Sequence, residues 1–178
     1  METPGPLDPL ETVQQSLPDM VEDSKTFRDE LTIIVKPENI PAVIQYLMET
    51  PGLIYNFLSD ISAVDYYPDY DRPGRFGVSY HLYSMLYNRR LRVKTYVDED
   101  EPIVPTVTDL WPVANWLERE AYDMMGIEFE GHPNLRRILM PDDWNGHPHR
   151  RDYPLGYETP QFSFNAEEIM KHKPFAKK

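Results

Sequence analysis

Two alternating runs on either side of a short turn limit this chain more than any other feature. Phe76, Val78, Tyr80 and Leu82 alternate with Gly77, Ser79, His81 and Tyr83; after a turn near Leu86 to Arg89, Leu91, Val93 and Val97 alternate with Arg90, Arg92 and Lys94. A period of two over both runs demands an antiparallel hairpin with one face in the core and the other in water. On the wet face Arg90, Arg92 and Lys94 read as a solubilising row. The flanking segments supply what the apolar face packs against. Glu30 to Lys36 carries the β-branched run of a strand, and a helix follows with Ile40, Val43, Ile44 and Leu47 on one face, stopped by Pro51-Gly52. An apolar run from Leu53 to Val64 leads into the turn-rich loop Asp65 to Gly74. After the acidic loop Asp98 to Pro105, the stretch Thr108 to Met125 places Val113, Trp116, Leu117, Ala121 and Met124 at helical spacing, with Gly126 as its stop. Arg136 to Met140 has the composition of a short strand inside a long irregular segment, Ile127 to Gly156.

At 178 residues with 40% hydrophobic side chains the chain is the size of one domain with a genuine core. Residues 1–26, with Pro4, Pro6, Pro9 and Pro18 among polar and acidic neighbours, read as a flexible amino-terminal tail with room for a short helical turn around Leu10 to Leu17. Residues 27–160 form the domain. Residues 161–178, where Phe162 and Phe164 alternate about Ser163, read as a tail that contacts a partner. Cysteine is absent, so thiolate metal sites, disulfides and ordinary iron–sulfur ligation within the chain are excluded. A net charge of -12 repels phosphate backbones and anionic lipid, which argues against nucleic-acid binding and direct membrane docking. No apolar run approaches the roughly 20 residues of a membrane span, and the acidic amino terminus lacks the features of a signal peptide. These features predict a soluble chain on the cytosolic side.

The most informative cluster is Glu118-Arg119-Glu120. Helical spacing aligns Arg119 with Asn115 and Asp123 on a polar face and puts Glu120 on the apolar stripe between Trp116, Leu117 and Met124. A carboxylate there needs a cation, either Arg136 or Arg137 of the same chain or a group from a partner. A third reading makes it a general acid or base. His147-Pro148-His149, with His132, Asp142 and Asp143, could be drawn as a metal site, although no helix presents an i,i+4 pair. Arg136-Arg137 and Arg150-Arg151 are basic pairs in an acidic chain, suited to fixed ion pairs at an interface.

Glu118-Arg119-Glu120, Asp123-Met124-Met125, His132 after six residues, Arg136 after three more and Ile138-Leu139 together resemble the signature of the respiratory complex I 30 kDa subunit family. The flanks Gly131-His132-Pro133, Arg137 to Pro141 and Arg151-Asp152-Tyr153-Pro154-Leu155-Gly156 are similar to that family as well. The resemblance is strongest from Pro105 to Gly156 and looser from Leu31 to Val97. It implies an α+β fold of two layers, a mixed, mostly antiparallel sheet with helices on one face. It also implies a cofactor-free subunit of the peripheral arm of a proton-translocating NADH:quinone oxidoreductase, inactive alone and packed against the 49 kDa-type quinone-site subunit. FMN and iron–sulfur clusters would sit in partner subunits, and the chain would meet the cytoplasmic face of the energy-transducing membrane only through the complex. On this resemblance Glu118, Arg119, Glu120, Asp123, His132, Arg136, Arg137, Arg150, Arg151, Asp152 and Tyr153 form the signature and subunit interface. The lack of a targeting segment suggests a bacterial or organelle-encoded origin or a mature form. The alternative is the equivalent subunit of a ferredoxin-, deazaflavin- or hydrogenase-linked complex; a remote one is a small metal-dependent enzyme.

Overall fold

The computed structural model describes residues 4–69 and 71–155, together with 167, 168 and 171. Five strands build the main sheet: β1 (Val21–Phe27), β2 (Glu30–Val35), β3 (Phe57–Asp65), β4 (Phe76–Ser84) and β5 (Arg89–Val97). Their spatial order is β1-β2-β5-β4-β3; β2 and β5 run parallel and every other pair is antiparallel. Among the described residues, helices α1 (Pro9–Ser16), α2 (Ile40–Glu49) and α3 (Ala114–Met125), a 3-10 turn at Pro37–Asn39, and a small parallel pair, β6 (Ile103–Pro105) with β7 (Glu128–Glu130), accompany the sheet. The result is the expected two-layer α+β domain.

The alternating runs decide which face is covered. Across the β4–β5 hairpin Phe76, Val78, Tyr80 and Leu82 stand opposite Val97, Thr95, Val93 and Leu91, and β3 adds Ile61 and Leu58 beside Tyr80 and Leu82. All of these side chains are buried. Ile40, Val43, Ile44 and Leu47 of α2 are 0% exposed, and each such burial is worth about 1.5–3 kcal/mol relative to exposure. The opposite face stays polar. Arg92 pairs with Glu30, Lys94 donates to the Tyr66 hydroxyl at 2.6 Å, and Ser62 meets His81 at 3.3 Å, so of the row read as solubilising Arg92 and Lys94 are tied down by neighbours while Arg90 is exposed.

Three local expectations are corrected. Residues read as a flexible amino-terminal tail instead form α1, at the place of the short helical turn expected around Leu10 to Leu17, and β1. The Asp8 carboxylate caps α1 by accepting from the Glu11 N–H at 2.9 Å, Pro9 opens the helix, and Val13 is completely buried. The β1–β2 turn is Arg28-Asp29, both at positive φ (51° and 64°), the geometry of a two-residue hairpin without its usual Asn-Gly or Asp-Gly. Second, the apolar run from Leu53 becomes a strand only at Phe57, because residues 51–53 turn and Ile54 adopts φ 44°. Third, Arg136–Met140 is no strand; the N–H groups of Ile138, Leu139 and Met140 all point to one carboxylate. The segment 161–178 lies outside the described residues apart from 167, 168 and 171.

Candidate functional site

α3 leans on β3 with one side and is roofed on another by the irregular segment that follows β7. Ala114, Glu118, Ala121 and Met125 recur at the spacing of one helical stripe, and all four are buried. Glu118 therefore carries a carboxyl group into the core at 0% exposure. One oxygen accepts from the Val107 N–H at 2.8 Å and the other lies 2.5 Å from the Thr106 hydroxyl, which fastens the start of the β6–α3 connection to the helix. Burial pushes the Glu118 carboxyl up to about 7 despite these hydrogen bonds. His132 Nε2 is 4.0 Å from it and donates to the Asn115 carbonyl at 3.2 Å, while Nδ1 accepts from the Asn134 N–H at 3.0 Å. Those two bonds fix a neutral imidazole, and burial lowers its pKa accordingly.

Asp123 organises the roof. Its Oδ2 accepts from the N–H groups of Ile138, Leu139 and Met140 at 3.0, 2.8 and 2.9 Å, and its Oδ1 from Arg137 at 2.7 Å. Burial alone would raise this carboxyl. The four donors outweigh it and hold the group below its usual range. Arg137 continues to the carbonyls of Trp144 and Gly146, and His147 Nδ1 donates to the Asp123 carbonyl at 2.9 Å. Arg119 donates to the carbonyls of Arg136 and Arg137 at 3.0 and 3.2 Å, and its guanidinium stacks on Trp116. A loop without regular hydrogen bonding is thus held through its main chain by side chains of one helix.

A second cluster closes the domain. Arg75, at the foot of β4, meets Asp65 through two donors at 3.1 and 2.8 Å, Asp152 at 2.7 Å and Glu99 at 2.6 Å. Asp65 also accepts from the Arg151 N–H at 2.8 Å, and Arg150 Nε donates to the Met125 carbonyl at 2.7 Å. Burial opposes ionisation of Asp65, but Arg75 and the Tyr67 and Arg151 N–H groups hold its pKa low.

This geometry coincides with a sequence match. The family model described as "Respiratory-chain NADH dehydrogenase, 30 Kd subunit" covers residues 33–159. The chain belongs to the 30 Kd subunit family of the respiratory-chain NADH dehydrogenase. A relative from Roseiflexus sp. (strain RS-1), named as a subunit of NADH-quinone oxidoreductase, is 49% identical over 168 residues, 94% of this chain and 95% of its own length. The protein of the same name from Geotalea uraniireducens is 53% identical over 131 residues, 74% of this chain and 77% of its own. Among solved structures, "Nqo5 of the trypsin-resistant fragment (1-134)" aligns at TM-score 0.61 and 38% identity, over 72% of this chain and 100% of that one. A chain of the membrane-bound sulfane sulfur reductase, an archaeal respiratory membrane complex, aligns at TM-score 0.66 over 95% of this chain and 94% of its own, and its 24% identity speaks for the fold alone.

In this member of the 30 Kd subunit family the signature residues are brought together, with roles that helical spacing does not assign. Glu120, expected on the buried stripe, is exposed, whereas Glu118, Arg119 and Asp123 are buried. Arg137 pairs with Asp123 rather than Glu120, and Arg136 contributes its carbonyl while its side chain stays exposed. The difference has a plain cause: Trp116 and Val113 are large and apolar enough to suggest core, yet they are 61% and 47% exposed. Arg150 and Asp152 turn inward, Arg151 engages through its N–H, and Tyr153 reaches the Asn145 carbonyl at 3.4 Å. Of the histidines drawn as a metal site, His132 and His147 turn their rings to separate carbonyl groups and His149 engages through its N–H, and no cluster of three metal-binding side chains occurs among the described residues. Thr106, Arg75 and Asp65 belong to the site without any sequence signal that singles them out. Glu118 has one in its spacing to Ala114, Ala121 and Met125, but the pairing of Arg75 with Asp152 spans 77 residues and leaves no local trace.

Proposed function

We propose that this chain is a cofactor-free structural and assembly subunit of the peripheral arm of a proton-translocating NADH:quinone oxidoreductase. In this reading it packs against the 49 kDa-type subunit on the cytoplasmic side of the membrane, and FMN and iron–sulfur clusters sit in partner chains. The observation that carries it is where the signature side chains go. Asp123 accepts from three main-chain N–H groups, Arg119 donates to two carbonyls, and Glu118 is closed off between Thr106, Val107 and α3. Side chains occupied in this way shape a rigid surface rather than meet a substrate. The names of the relatives support the assignment to this oxidoreductase, and the lack of cysteine leaves this chain no thiolate with which to hold a cluster. Among the described residues no helix is long and apolar enough to cross a membrane, which suits attachment through partner subunits.

The test is purification of the tagged full chain from its native membranes in mild detergent. The subunits of an NADH-oxidising complex, a 49 kDa-type chain among them, should co-purify, and the chain expressed alone should be colourless and unable to oxidise NADH. A flavin spectrum or stoichiometric iron in the isolated chain, or its recovery from membranes without partners, would overturn the reading.

A further inference from the structure

We infer that the open edge of β3, with the cleft it forms against α3, receives an extended, positively charged segment of a neighbouring subunit as an added strand, an inference that rests on the proposed role as a subunit. β3 is the last strand of the sheet, and among the described residues no backbone hydrogen bond reaches Phe57–Val64 from any element other than β4. The N–H and C=O groups along such an edge are a ready template for an extended chain. The two edges of the sheet differ. β1 bears Glu22, Asp23 and Lys25 along its exposed length, the usual protection of an edge. β3 carries no lysine, arginine or proline, and of its two aspartates Asp65 is occupied by Arg75. A register shift between Leu58 and Asp60 leaves Asp60–Val64 as the regular part of the edge.

A cleft of about 140 Å³ runs beside this edge, lined by Ile61, Ala121, Met124 and Met125. It has room for an aliphatic side chain, and methionine walls adapt readily to what enters. Asp60, Glu120 and His149 also border the cleft; both carboxylates are exposed, Asp60 has His81 opposite it on β4, and neither forms a salt bridge with a described residue. One turn before Glu120, the exposed Trp116 offers an aromatic anchor. A second copy of this chain would bring a further charge of -12 against the same carboxylates. A strand with a lysine or arginine placed for Asp60 and Glu120, and an apolar side chain for the cleft, satisfies both the backbone edge and the charge.

Hydrogen exchange of the assembled complex against the isolated full chain tests this, with the double variant Asp60→Lys/Glu120→Lys as a second measurement. Amides within Asp60–Val64 should exchange about tenfold more slowly, or slower still, in the complex. The double variant should melt like the wild type when isolated, yet recover at least about tenfold less partner. Equal exchange in both states, with subunits co-purifying, overturns the added strand and leaves the proposed subunit role intact. Absence of co-purifying subunits overturns that role and this inference with it. Protection already present in an isolated dimer, or normal assembly of the double variant, overturns the assignment of the occupant.

Discussion

Asp123 is fully buried and accepts four hydrogen bonds, three of them from consecutive main-chain N–H groups, so its removal strands those donors together with the Arg137 guanidinium. Replacing Asp123 with alanine should cost roughly 3–5 kcal/mol, read from the urea midpoint of the isolated chain. Glu120→Gln, three residues earlier but exposed, should stay within about 0.5 kcal/mol of wild type. A larger loss at Glu120 than at Asp123 would mean that α3 is rotated about its axis from this orientation. Glu118 makes a different prediction. Its carboxyl is raised from 4.5 to about 7, so the folded state holds this proton more tightly than the unfolded state does. Its contribution is therefore fully present below pH ~4.5 and falls away as pH rises toward ~7, where it levels off. When protonated, the group donates to the Thr106 hydroxyl, which can in turn donate to Thr108 at 3.0 Å. His81, His132 and His147, all with lowered pKa, lose stability in the opposite direction as pH falls through their unfolded range. The Glu118 effect is thus isolated as a difference: wild-type stability minus that of Glu118→Gln should shrink by roughly 3 kcal/mol between pH 4.5 and 7.5. A difference independent of pH would remove the buried-proton account.

At the scale of elements, α3 ends where Gly126 turns the chain at φ 76°, and a Cβ there would stand 2.6 Å from the side chains of His147 and Arg150. Gly126→Ala should lower stability by about 1–3 kcal/mol, part from the left-handed backbone and part from displacing the closing segment, measurable as a fall in Tm. This stop is legible in the sequence, as are α2 and the β4–β5 hairpin, because apolar periodicity and a terminating glycine are local signals. The rotation of α3 is not. Large apolar residues suggest one face, whereas the structure buries Glu118, Arg119 and Asp123 against main-chain partners that no periodicity reveals, and leaves Trp116 outside. β1 is hidden for a related reason: as an edge strand its polar pattern resembles a loop, and Arg28-Asp29 does not advertise a hairpin turn. The family signature, by contrast, is legible as a string, and its residues do gather around α3 even where their individual roles differ from the spacing.

Over the whole molecule, the closing segment 141–155 has no regular secondary structure, so its position depends on a few long-range bonds. Arg137, His147 and Arg150 tie it to α3, and Arg75 ties it to the sheet, joining the end of β3 through Asp65, the loop after β5 through Glu99, and the closing segment through Asp152. Glu99 is half exposed and adds little, whereas the Asp65 carboxylate is completely buried and depends on the guanidinium for its charge. Substituting Arg75 with glutamine keeps a donor but removes that charge, which leaves Asp65 and Asp152 facing each other with only the more distant Arg150 guanidinium to oppose them. The isolated variant should melt lower, and the segment should also open locally before the sheet does, since Asp152 and the Arg151 N–H both depend on this centre. Trypsin reports the local opening directly, because Arg150 and Arg151 lie within the segment. Cleavage there should be about tenfold faster in Arg75→Gln at temperatures where both proteins remain folded. Arg72→Gln is the control, since its pair with Asp69 is solvent-exposed on both sides and should change neither quantity. Lower stability with unchanged cleavage would assign Arg75 to the sheet alone and leave the closing segment to its bonds with α3 and the roof, through Arg137, His147 and Arg150, the last gripping the Met125 carbonyl.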